Sequence, residues 1–176
     1  KTNDDVRVDA KDLRAKIVAE GGNLGFTQRA RVEYAVAGGR INMDALDNSG
    51  GVDMSDFEVN LKLLFREVIE SGEITTEERN GLLSSYAQEA VKKVLTRNYG
   101  QSKIVSQSVL RSRRHLNYYN GLINLLQEKG IISRKADALP SEGETVERMA
   151  TKVGLYRPEL CVLVAGAKMY ISDIII

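Results

Sequence analysis

EGGNLGFTQRARVEYAVAGGRINMDALDNSGGVDMSDFE, residues 20–58, decides how this chain is read. An apolar run, Ile17-Val18-Ala19, leads into Glu20-Gly21-Gly22-Asn23. A second extended candidate, Arg40-Ile41-Asn42-Met43, leads through Asp44 to Asn48 and then Gly50-Gly51. Between them lies a helical pattern ending at Gly38-Gly39. That is strand, helix, strand in about thirty residues, the length of a crossover joining two parallel strands. Ligands of open parallel sheets bind just beyond the carboxyl ends of the strands. Both such ends here carry glycines and an asparagine. Glycine lets backbone approach a ligand closely, and asparagine offers a donor and an acceptor on one short arm. Gly21, Gly22 and Asn23, with Asn48, Gly50 and Gly51, are therefore the first site candidates. The same residues also suit plain turns, and spacing alone does not choose between the two.

The segment resembles the end of the nucleotide-binding domain of glutamate dehydrogenases. In that family one strand ends in an EGAN-type turn, and a second leads into an NAGGV-type turn followed by a serine. Here they stand as Glu20-Gly21-Gly22-Asn23 and Asn48-Ser49-Gly50-Gly51-Val52, with Ser55 three residues on. The wording is nearest to the large bacterial NAD-specific enzymes. Gly154-Leu155-Tyr156-Arg157-Pro158-Glu159-Leu160 is similar to their C-terminal helical region. The similarity runs from about Arg7 to the end.

The resemblance implies conversion of L-glutamate, NAD and water to 2-oxoglutarate, ammonium and NADH, with NAD as cofactor. It places Gly21, Gly22, Asn23 and Asn48 on the cofactor, with Asn23 near the nicotinamide ribose. Val52 would line the substrate's methylene groups, and Ser55 would donate to its side-chain carboxylate. The family's catalytic lysine and aspartate belong to motifs that this chain lacks, so no catalytic residue is assigned and the isolated chain is expected to be inactive. The implied partners are L-glutamate and 2-oxoglutarate, the rest of a longer parent chain, and further copies in a homo-oligomer. Gly22 departs from the family's commoner alanine. Leu24-Gly25-Phe26-Thr27 replaces a proline-threonine turn, and Asp56 stands where an aromatic residue is common.

Composition bounds the rest. Hydrophobic residues make up 43% and charged residues 28% of 176, ordinary for a soluble globular chain. The net charge of +1 gives no global field for nucleic acid or acidic lipid. Cys161 is the single cysteine, so no intramolecular disulfide forms; in an apolar helical run it reads as a buried inert thiol. The longest apolar run, 160–167, is too short for a bilayer. No secretory signal is visible, and cytoplasm is the expected location. A chain that starts at Lys1 and ends in Ile174-Ile175-Ile176, with a two-stranded parallel unit, reads as a piece of a larger protein with the missing strands N-terminal.

The expected class is mainly α. A strand-helix-strand remnant of a Rossmann-type domain, residues 1–51, precedes a helical bundle, residues 52–176. Strands are expected at 15–19 and 40–43, and a helix capped by Thr27 at 28–37. A turn of helix or an inward loop is expected at 10–14. From residue 52 the periodicity becomes helical. Phe57, Leu61, Leu64, Phe65 and Val68 mark one face up to Gly72. Ser55 and Glu58 have capping-box spacing, which gives Ser55 a second, structural reading. A helix opening at Thr75-Thr76 carries Leu82, Leu83, Tyr86, Ala90, Val91, Val94 and Leu95 inward. Another is expected at 101–129, with Val105, Val109, Leu116, Tyr119, Ile123 and Leu126 inward and Gly130 closing it. Ser141 with Glu144 starts a short helix to about Lys152, and Pro158 starts the last, to about Ile174.

Other constellations are weaker. Arg111-Ser112-Arg113-Arg114-His115 reads as a solvated basic face, with phosphate binding as the other reading. His115 is the single histidine, which argues against a metal site. The Gly-x-Gly-x-x-Gly fingerprint is absent. Two functional classes stay open: a dehydrogenase segment supplying part of the NAD and glutamate cleft, or a non-catalytic helical module for assembly or regulation.

Overall fold

The computed structural model describes residues 4–22 and 25–175. Two short 3-10 turns, Asp4–Val6 and Ala10–Asp12, precede strand β1 (Ile17–Val18). Then come α1 (Gln28–Val36), β2 (Arg40–Ile41), α2 (Asp44–Asp47), α3 (Ser49–Glu70) and α4 (Thr76–Ser112). The chain ends with α5 (Leu116–Glu128), α6 (Glu142–Ala150) and α7 (Arg157–Ile175). Among the described residues it is mainly α, with one two-stranded parallel sheet in the register Ile17 to Arg40 and Val18 to Ile41.

The strands are shorter than expected. With one neighbour each, only two residues per strand pair, and Asn42 turns its side chain to other partners. Thr27 caps α1 as its sequence suggests, accepting from the Ala30 N–H at 3.1 Å. At the far end the Gly39 N–H donates to the Tyr34 carbonyl, while the Tyr34 hydroxyl donates to the Ala15 carbonyl. A Cβ at Gly39 would lie 2.3 Å from the Tyr34 ring, so this tight return from α1 to β2 requires glycine.

Packing groups the chain into two compact units, Lys1–Asp47 with Ser102–Ile176, and Asn48–Gln101. The units cut across sequence order, because the later helices pack with the strand-helix-strand segment.

The first unit holds two cores. Ala10, Tyr34 and Ile41 form the smaller one, with Leu13, Val18 and Phe26 against it. The larger gathers Leu46, Val105, Leu116, Ile123, Leu126, Leu155 and the first turns of α7. Val105, Ile123 and Leu126 are fully buried, as their spacing predicts. They do not belong to one helix, however. α4 runs through Gly100 to Ser112, and the break falls at residues 113–115. Glycine inside a helix costs about 1 kcal/mol relative to alanine, less than one well-buried valine contributes, so Gly100 does not end α4. The break has its own cause. The Leu155 N–H donates to Ser112 Oγ at 3.0 Å, and a Cβ at Gly154 would lie 2.8 Å from the Arg113 nitrogen. The 154–155 backbone is packed tightly against the end of α4. Ser141 and Glu144 form the expected capping box of α6. α7 begins at Arg157, with Pro158 buried in its first turn.

The second unit contains α3 and the first part of α4. Thr75 and Glu78 make a reciprocal capping box at the start of α4. Asp53 pairs with Arg97 at 2.8 Å, and the Arg97 guanidinium stands 5.1 Å from the Phe57 ring centroid. Phe57, Leu61, Phe65 and Val68 form a half-buried stripe, but no residue of α3 is fully buried. Leu64, Leu82, Tyr86, Val91 and Leu95, expected inward, are exposed. Each of these helices has one neighbour here, so only the narrow stripe around Ala90 and Val94 is covered. Among the described residues no helix is long and apolar enough to cross a membrane.

Candidate functional site

The first turn begins where β1 ends. Glu20 is 5% exposed, and its carboxylate is held by the Arg31 fork, Oε2 to Nε at 2.6 Å and Oε1 to Nη2 at 2.9 Å. Oε1 also accepts from the Phe26 N–H at 3.2 Å, joining the two ends of the turn. Gly21 and Gly22 are exposed, and a Cβ at either would meet nothing within 4 Å. Their backbone is therefore open to an approaching ligand. Asn23 lies outside the described residues.

The stretch after β2 is not a simple loop. Residues Asp44–Asp47 form the one-turn helix α2, and Asp47 Oδ1 accepts from Asn42 Nδ2 at 2.7 Å. Asp47 Oδ2 accepts from the Glu20 N–H at 3.1 Å. Asn42 Oδ1 in turn accepts from Arg157 Nε at 2.9 Å, and Arg157 Nη1 donates to Ser106 Oγ at 2.8 Å. Arg31 Nη2 lies 3.3 Å from Asp44 Oδ2. Burial opposes the Arg31 charge, but the hydrogen bond to Glu20 and the charges of Glu20 and Asp44 outweigh it and raise its pKa above the ordinary value.

Asn48 is the residue that caps α3, with φ −86° and ψ 1°. Its carbonyl accepts from the Gly51 and Val52 N–H groups. A Cβ on residue 51 would lie 2.9 Å from Asn48 Oδ1, so glycine there leaves room for that side chain. Asn48, Val52 and Ser55 are spaced four and three residues apart, which puts them on one face of the helical start. Val52 is 58% exposed, and Ser55 is exposed as well. The capping-box reading of Ser55 is overturned. α3 begins six residues earlier, and Ser55 Oγ donates to the Gly51 carbonyl at 3.1 Å. The two glycines that looked like a turn are accommodated in the helix's first turn.

Of the expected site residues, the structure brings Asn48, Val52 and Ser55 onto one helical face. Gly21 and Gly22 belong to the other compact unit. Sequence reading missed Arg31, Asp44, Asp47 and Arg157, the charged residues that anchor the turns of the first unit. One signal for Arg31 was present. It sits beside Ala30 and three residues before Tyr34, a charge on the inward face of α1.

Cys161 is fully buried; desolvation pushes its thiol up to about 12, opposed only in part by a main-chain hydrogen bond of Met43, which fits an inert thiol. Arg111, Arg113, Arg114 and His115 are exposed, while Ser112 between them is buried.

The family model described as "Bacterial NAD-glutamate dehydrogenase, catalytic domain" matches residues 1–108. A protein of Pseudomonas aeruginosa named "NAD-specific glutamate dehydrogenase" is 43% identical over 173 residues, covering 98% of this chain and 11% of that protein. The proteins of the same name from Halomonas elongata and Mycobacterium tuberculosis are 43% and 41% identical, over 96% and 98% of the chain. The chain thus spans about a tenth of the length of these relatives. A family match across more than half the chain, joined to these identities, shows that the chain belongs to the bacterial NAD-glutamate dehydrogenase catalytic-domain family.

Proposed function

We propose that this chain is a segment of an NAD-dependent glutamate dehydrogenase and contributes part of its cofactor and substrate cleft. The reaction is oxidation of L-glutamate with NAD and water to 2-oxoglutarate, ammonium and NADH. The observation that carries the reading is the family match over residues 1–108, which includes both glycine-bearing turns. NAD, when bound, supplies the hydride acceptor.

The residues present fit a cofactor at the first turn. Gly21 and Gly22 offer backbone with open space at both Cβ positions, and the Glu20 carboxylate before them accepts from the Phe26 N–H beyond them. The family resemblance assigns Gly21, Gly22, Asn23 and, separately on the start of α3, Asn48 to the cofactor. On α3, Val52 offers an exposed apolar surface for the substrate's methylene groups. The Ser55 hydroxyl lies one turn further on the same face and donates to the substrate carboxylate in place of the Gly51 carbonyl. The remaining partners in this reading are the rest of the longer chain and further copies in a homo-oligomer.

The test uses two samples. The full-length enzyme containing this chain should form NADH from NAD and L-glutamate, and the 176-residue chain alone should not. A full-length enzyme without glutamate-dependent NADH formation overturns the reading. Turnover by the chain alone, above a contaminant control, overturns the assignment of catalysis to other parts of the enzyme.

A further inference from the structure

Gly21 and Gly22 have no side chains and a Cβ at either would meet nothing within 4 Å; among the described residues the contacts that hold this stretch are made at Glu20 and Phe26. The near end is Glu20. Its main-chain N–H is held by Asp47, and its carboxylate is held by Arg31. The far end is Phe26, whose N–H donates to that same carboxylate. Arg31 is 4% exposed and does not stop at Glu20. Its Nη2 reaches Asp44 in the helix that follows β2, and Nη1 donates to Gln28 Oε1 at 3.2 Å. One planar guanidinium therefore ties the turn after β1 to the turn after β2. A lysine carries the same charge as a point and cannot serve both Glu20 oxygens and Asp44 together.

We propose that Arg31 is a positioning residue for the cofactor, acting through Glu20, a role that rests on the reading of this chain as part of an NAD-dependent glutamate dehydrogenase. The guanidinium fixes the Gly21–Gly22 backbone at a set distance from α2, so the open glycine surface is preorganised before NAD arrives. Loosening it lets that backbone sample other positions and weakens NAD binding. Glutamate is unaffected in first approximation, because Val52 and Ser55, its proposed contacts, are on α3.

The test is made in the full-length enzyme with Arg31→Lys and the milder Asp44→Asn, which keeps the shape of the partner and removes its charge. Three quantities are measured: the Kd for NAD by titration calorimetry, the KM for glutamate at saturating NAD, and hydrogen exchange at the Phe26 amide. For Arg31→Lys the NAD Kd should rise about ten- to a hundredfold, as displacement of a positioned group by about an ångström does. The glutamate KM should stay within about twofold and the Phe26 amide should exchange faster. Asp44→Asn should move the same quantities in the same direction by less, and it carries the test if Arg31→Lys does not fold. Faster exchange at Phe26 with an unchanged NAD Kd makes Arg31 a purely structural residue and overturns the proposal. Equal losses for NAD and glutamate overturn it too. The wild-type titration comes first: an enzyme that binds no NAD removes the dehydrogenase reading and this role together. A wild type that binds NAD beside a variant that binds it equally well removes only the role.

Discussion

The Ser55 hydroxyl donates to the carbonyl of Gly51, four residues back along α3, at 3.1 Å. This bond is exposed and local, and serine in a helix interior makes it at little net benefit. It leaves the hydroxyl free to exchange one acceptor for another. The helix does not depend on it, since α3 starts at Ser49 with Asn48 as its cap.

Ser55→Ala in the full-length enzyme should therefore act on substrate and not on stability. Loss of a hydrogen bond to a carboxylate costs about 1.5–3 kcal/mol, so kcat/KM for glutamate should fall roughly tenfold to 150-fold. NAD affinity should hold, because the contact proposed for the lost group is with the amino acid. The melting temperature should stay level or rise slightly, alanine being the better helix former. Steady-state kinetics with a thermal melt on the same protein checks this; unchanged glutamate kinetics take Ser55 off the site.

The sequence pattern serine-x-x-glutamate occurs at Ser55 and at Ser141, and its two outcomes show what was legible. Ser141 follows Pro140, which cannot continue a preceding helix, and the full reciprocal box forms. Ser55 has no proline before it but Gly50-Gly51-Val52-Asp53-Met54, and glycine permits a helix as well as a turn. Inward positions were legible wherever one face is well covered, as for Val105, Ile123 and Leu126. They were not legible on α3 and early α4, where a hydrophobic stripe such as Leu82, Val91 and Leu95 has no neighbour to bury it. The glycine turns were legible as local chemistry. Their anchoring by Arg31 and Arg157 was not, because it is made between residues 11 and 115 positions apart.

Protection from hydrogen exchange should follow burial and not sequence order. α3 has no buried residue, whereas Leu116, Ile123 and Leu126 of α5 and Leu160 to Leu163 of α7 are buried. Amides in the middle of α3 should exchange well before those of α5 and the first turns of α7. Mass-resolved exchange on the 176-residue chain tests the order. Equal protection across α3 and α5 contradicts it.

Glu159 should make stability depend on pH. The side chain is fully buried, and Oε2 accepts from Arg148 at 2.8 Å and from the Tyr156 N–H at 2.7 Å, while Oε1 has no hydrogen-bond partner among the described residues. Burial raises its pKa above the ordinary 4.5, and the Arg148 hydrogen bond and charge only partly oppose this. A carboxyl whose folded pKa lies above its unfolded one favours folding fully below the unfolded value. That contribution is lost as pH rises from 4.5 through the raised folded value. Glu159→Gln removes the titration, so its melting temperature should fall less than that of the wild type over this window. Thermal melts from about pH 4 to about pH 8 read the difference in slope. Parallel curves for the two proteins would sink the idea.

Two glycine substitutions should move stability in opposite directions. A Cβ at Gly154 would lie 2.4 Å from Ser112 Oγ and 2.8 Å from the Arg113 nitrogen, and the second of these is backbone that cannot swing aside. Gly154→Ala must shift the 154–155 segment or the end of α4, and overpacking of this kind costs about 1–3 kcal/mol. The Leu155 to Ser112 hydrogen bond is strained with it, since both partners sit at the clash. Gly121 lies inside α5 with nothing within 4 Å of a Cβ. Gly121→Ala should instead stabilise by about 1 kcal/mol through helix propensity. Urea melts of both variants beside the wild type decide the matter. The expected order of midpoints is Gly121→Ala above the wild type and Gly154→Ala below it. A Gly154→Ala midpoint at or above the wild type would show that the packing of residue 154 against the end of α4 is not the tight contact described.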